Sequence, residues 1–129
     1  MKKVRWGLFI FWVFLTVFLC IQDGKSSGEL SGFLANFIGI EEQLLRKLAH
    51  FFVHFMLALL AYQAIVTTVK PKSTALLCSI FLSLLFAVID ESFQMVVIDR
   101  SAELKDVLIN ISGVITGIVV SIIAHEKSS

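Results

Sequence analysis

The sequence predicts an all-α integral membrane bundle of four transmembrane helices, and three observations predict it. Hydrophobic residues make up 57% of the chain and charged ones only 16%, with a mean hydropathy of +0.90. Soluble domains sit nearer half apolar and a quarter charged. The apolar residues gather into four runs, each close to the ~20 residues that a helix needs to cross the hydrocarbon core. In three of those runs the ionisable residues crowd toward one end, with Asp90-Glu91 placed inside an otherwise apolar stretch. At 129 residues the economical division is one domain over 1–129. A formal net charge of +1 offers no basic face to a nucleic acid, and no cofactor is expected.

The first helix is expected over about 6–22, after the basic start Met1-Lys2-Lys3-Val4-Arg5. The layout imitates a secretory signal, but no Ala-x-Ala-like site follows, so it reads as an uncleaved anchor. Residues 22–32 form a polar break rich in Gly, Ser and charge. The segment 33–40 is too short to span. Its bulky residues at 33, 34, 37 and 38 fit either a helix lying in the interface or a hydrophobic loop tucked on the bundle. The second helix is expected over about 44–69, carrying Arg46, Lys47, His50 and His54 in its first turns. Lys70-Pro71-Lys72 then makes a tight basic turn, with Pro stopping one helix before the next. The third helix is expected over about 73–98 and the fourth over about 104–124, starting with Lys105, Asp106 and Asn110. Cys20 and Cys78 fall toward opposite faces, too far apart for a disulfide, whose Cα atoms must lie within about 7 Å. They read as small apolar residues.

Lys2, Lys3, Arg5, Lys70 and Lys72 share one side if four helices alternate, and the bias of Lys and Arg toward cytoplasmic loops places both termini in the cytoplasm. Arg46, Lys47 and Arg100 run against that bias and are taken as site residues. The same topology brings scattered positions together. His50, Asp90, Glu91, Gln94, Asp106 and Asn110 all fall within roughly 12 Å of the outer surface at about 1.5 Å of rise per residue. Arg46, His50 and His54 are four apart and share a helix face. Asp106 and Asn110 continue through Gly113 and Gly117, whose spacing lets another helix approach closely, within one chain or between two.

This constellation, Lys47-Leu48-Ala49-His50-Phe51, then Asp90-Glu91-x-x-Gln94, Arg100, and Asp106-x-x-x-Asn110-x-x-Gly113-x-x-x-Gly117, resembles the VanZ-like family of bacterial membrane proteins over about residues 40–120. The resemblance implies several transmembrane helices, a bacterial cytoplasmic membrane, and a link to resistance against the glycopeptide antibiotic teicoplanin. It carries the family's polar positions onto Lys47, His50, Asp90, Glu91, Gln94, Arg100, Asp106 and Asn110. The chain departs from the pattern at His54, where a tyrosine is expected, and at Val53, where an acid is common.

Four functional readings compete. In the first, an outward-facing polar pocket engages membrane lipid, a lipid-linked envelope precursor or a lipoglycopeptide. Arg46, Lys47 and Arg100 would hold phosphate, with His50, Gln94 and Asn110 completing the binding set; the competing view is that the cations snorkel to headgroups. In the second, His50, Asp90, Glu91 and Asp106 supply acid–base catalysis on a lipid-linked substrate. Ser92 and Ser101 lie in no nucleophile motif, and Asp90 and Glu91 point about 100° apart, so one faces the cluster and the other a neighbouring helix. The third places a metal on His50 and His54 with Glu91 or Asp106, without the His-Glu-x-x-His signature; His54 otherwise reads as a lipid- or partner-facing residue. The fourth is structural: Lys47, Asp90, Glu91, Arg100 and Asp106 form a buried ion network that fixes helix register.

Overall fold

The computed structural model describes residues 1–21, 24–96 and 104–128. Among them the chain is all-α: α1 Lys2–Ile21, α2 Gly24–Ile38, α3 Glu42–Ile65, α4 Lys72–Val96 and α5 Leu104–Ser128. Four of these, α1, α3, α4 and α5, are long and apolar enough to cross a membrane. The expected spans are therefore present, with shifted ends. α1 starts in the basic segment, because Lys and Arg are good helix formers and the small penalty of cations at a helix N-terminus is screened by solvent. α3 stops at Ile65 rather than near Val69. There the chain turns, and the Thr67 and Thr68 hydroxyls donate to the carbonyls of Ala64 and Ile65 at 2.6 and 3.1 Å. α5 runs on to Ser128, past the expected end at Ala124.

The larger correction concerns the stretch between the first two spans. A helix begins at Gly24, not Phe33, so the expected polar break is largely helical. Gly39, at φ 82°, ends it: the Gly39 and Ile40 amides both donate to the Ala35 carbonyl, at 2.8 and 3.1 Å. This is a glycine-terminated helix cap, which a Cβ would strain. α2 buries Ala35 and leaves Leu30, Phe33 and Phe37 exposed. Those three lie at i, i+3 and i+7, a single apolar stripe.

Helix packing follows from small residues. An ideal Cβ on Gly113 would lie 2.5 Å from the Phe51 carbonyl oxygen, and one on Gly117 closer still to the Phe55 oxygen. Four residues further on, Ser121 Oγ donates to the Leu59 carbonyl at 3.2 Å. Each step of four on α5 thus matches a step of four on α3, so the two helices run parallel in constant register. The glycine seam lies within the chain. α4 turns Ala75, Ser79, Ser83, Ala87 and Asp90-Glu91 inward, again mostly small. α1 is pinned from outside by Trp12 Nε1 donating to the Val53 carbonyl at 2.9 Å.

Candidate functional site

Asp90 sits where α4 meets α1 and α3, and it organises the polar end of the bundle. His54 Nε2 donates to Asp90 Oδ2 at 3.0 Å. His50 Nδ1 faces the same oxygen at 3.9 Å, an electrostatic contact longer than a hydrogen bond. The i,i+4 spacing of the two histidines puts both imidazoles on the α3 face that looks at α4. Cys20 of α1 donates its thiol to the Asp90 backbone carbonyl at 3.6 Å. Three helices therefore converge on one aspartate.

Burial grades this cluster from inside to outside. His54 is fully buried, and Asp90 and Glu91 nearly so, whereas the His50 side chain keeps 18% of its surface exposed. Taking such groups out of water is costly unless they are paired. The His54–Asp90 pair lowers that cost, and His50 connects it toward the surface. Glu91 is buried on the same inward stripe as Ala87. Both acids are inside, and Asp90 is the one that meets His50 and His54.

Asn110 is the most unusual member. It is 0% exposed, and neither its Oδ1 nor its Nδ2 has a hydrogen-bond partner among the described residues. His54 Nδ1 shares that condition. A buried carboxamide left unsatisfied costs about 1–3 kcal/mol. In a membrane span no bulk water is at hand to relieve it.

The remaining expected site residues are placed less centrally. Arg46, Lys47 and Asp106 are partly exposed. The ion pairs among the described residues are His50–Asp90 and His54–Asp90, so Lys47 and Asp106 take no part in them. Arg100 and Ser101 lie outside the described residues, as does the side chain of Gln94. His50, His54 and Glu91 do not gather into a metal-holding group of three among the described residues.

Two residues matter more in the structure than their sequence context suggests. His54, expected either as a metal ligand or as a residue facing lipid or a partner, is fully buried and hydrogen-bonded to Asp90 at 3.0 Å. Cys20, expected to be a small apolar residue, is a member of the cluster. His54 carried a signal, its i,i+4 relation to His50. Cys20 carried none, because its partner is a backbone carbonyl 70 residues away.

No curated protein and no solved structure matches the chain. The VanZ/LLP1 family model matches residues 6–125, nearly the whole length, and the chain belongs to the VanZ/LLP1 family.

Proposed function

We propose that the polar end of the bundle is an outward-facing pocket that binds or remodels a cell-envelope component, a phosphate-bearing lipid, a lipid-linked wall precursor or a lipoglycopeptide. The observation that carries this reading is Asn110. A fully buried carboxamide whose donor and acceptor both lack partners among the described residues, at the polar end that also holds His50, His54 and Asp90, is a costly arrangement for packing alone. It suits a ligand that brings its own donors and acceptors. Arg46 and Lys47, partly exposed on the first turns of α3, would meet a phosphate arriving from the membrane surface. The lysine and arginine distribution supports placing both termini in the cytoplasm of a bacterial membrane, which turns the cluster outward. Family membership supports the link to glycopeptide resistance of the teicoplanin type.

A second reading is a membrane-embedded hydrolase or transferase. What favours it is the His54–Asp90 hydrogen bond at 3.0 Å, with His50 as the more exposed imidazole. An imidazole oriented by a carboxylate can move a proton to and from a substrate.

The test is growth and surface binding in the presence of teicoplanin, comparing wild type, His50→Ala, Asp90→Asn and Asp106→Asn at matched membrane expression. The binding reading expects protection in wild type and its loss in His50→Ala and Asp90→Asn. If wild type does not protect, the resistance link fails. Turnover of a polyprenyl phosphate ester that is abolished by His50→Ala would favour the enzyme.

A further inference from the structure

We propose that the seam between α1 and α4 is a slot for one hydrocarbon chain of the amphiphile whose head group the Asp90 cluster engages. The inference rests on the binding reading above and deepens it. A small crevice with about 50 Å³ of room for water-sized groups lies in this seam, open to the outside of the bundle. Val17 and Cys20 line it from α1, and Phe86, Ile89, Asp90 and Phe93 from α4. Positions 86, 89, 90 and 93 fall on one helix face, so the lining is a continuous strip along α4.

The chemistry of the crevice excludes a polar occupant. Thr16, which also borders it, spends its hydroxyl on the Trp12 carbonyl at 2.8 Å. Cys20 directs its thiol to the Asp90 carbonyl, and an Asp90 carboxylate oxygen accepts from His54. The polar atoms of the floor are thus turned into the protein, and what faces the crevice is hydrocarbon and aromatic ring. A sugar or a phosphate would lose its hydration there with little in return. A methylene chain loses nothing. Against the roughly 10–15 Å³ of such room that one water-sized group takes, about 50 Å³ receives a short run of methylenes from a single chain and not a fused ring system.

Continuity with the cluster identifies the occupant. Val17, Ile89 and Phe93 form an exposed rim on the outside of the bundle, where lipid chains lie. Cys20 and Asp90 form the floor and, from their other side, the core of the polar cluster. A chain lying in the slot therefore carries its head to the Asp90 end. Because lipid tails are as apolar as the slot, no hydrophobic driving force favours entry. The gain is packing, which selects chain shape and positions the head without supplying most of the affinity.

The test uses the full chain in lipid nanodiscs and a long-chain alkyl phosphate bearing a diazirine at mid-chain. After irradiation, adducts are mapped by mass spectrometry. They are expected to concentrate on Val17, Phe86, Ile89 and Phe93 over the exposed apolar residues Phe14, Leu77, Phe81 and Ile115. The double variant Val17→Trp, Ile89→Trp fills the slot from its exposed rim, and should reduce those adducts by roughly fivefold, the scale of lost packing alone. Even labelling of slot and control residues in wild type would overturn the slot. So would crosslinks that join two copies through the seam, because a second chain would then be its occupant. If the double variant keeps both its affinity for alkyl phosphate and its chain-length preference, the slot fails while the head-group site stands. If an alkyl chain lacking the phosphate labels the slot equally well, the coupling to the cluster is wrong.

Discussion

At the end of the bundle that carries both termini, Gln63 of α3 and Ser121 of α5 satisfy one another. Gln63 Nε2 donates to the Ser121 carbonyl and hydroxyl at 3.2 and 3.0 Å, and the hydroxyl in turn donates a hydrogen bond to the Leu59 carbonyl. His125, edge-on to Tyr62, has one buried ring nitrogen without a hydrogen-bond partner among the described residues. At the opposite end both amide atoms of Asn110 and the Nδ1 of His54 stand without partners among the described residues. The first arrangement is interhelical glue. The second leaves polar atoms without a use among the described residues, the kind of local violation that the proposed site would explain.

Substitutions can sharpen that contrast, starting with the seam on which both ends depend. Gly117→Leu drives a side chain into the Phe55 backbone carbonyl, which cannot rotate away. The expected loss is on the order of 3 kcal/mol or more, read by unfolding in mixed micelles. Gly113→Leu should behave alike against Phe51. A normal unfolding curve for either would break the account of α3–α5 packing.

Next comes Asp90. Asp90→Ala leaves His54 buried without its acceptor and should cost about 3 kcal/mol. Asp90→Asn keeps a hydrogen-bonding oxygen and should cost about 1 kcal/mol. Both should lose ligand binding, so the pair separates charge from folding. If Asp90→Asn binds normally, the carboxylate is not part of the site.

At the glue end, Gln63→Leu should cost about 1 kcal/mol, the usual scale for a polar contact between membrane helices. Binding and protection should be unchanged. Loss of function at equal expression would contradict the division between the two ends.

Much of this was legible in the sequence, for physical reasons that name particular residues. The four apolar runs report the bilayer, and Gly113-x-x-x-Gly117 reports a close helix contact, because both signals are periodic and local. The convergence of His50, Asp90 and Asn110 at one end followed from topology alone. What escaped depends on rotation about a helix axis. His54 shares a face with His50, but the sequence does not say whether that face meets α4 or lipid. Cys20 was hidden because its partner is main chain, which every residue offers. α2 was underestimated because Ser, Gly and charge between residues 24 and 32 signal a break, whereas the Leu30, Phe33 and Phe37 stripe extends the helix through it.

The smallest expected effect on stability belongs to the most informative substitution. Asn110→Leu replaces a carboxamide without partners among the described residues by a somewhat bulkier apolar side chain with the same branching and the same number of heavy atoms. It should leave stability within ~0.5 kcal/mol of wild type or raise it, since no hydrogen bond is lost. The direct measurement is unfolding of Asn110→Leu alongside its binding of a polyprenyl phosphate in nanodiscs. The account predicts equal or greater stability with binding reduced by at least about tenfold, the loss of roughly 1.4 kcal/mol of contact. Destabilisation with binding intact would show instead that Asn110 serves the fold, and that the polar end is not a site.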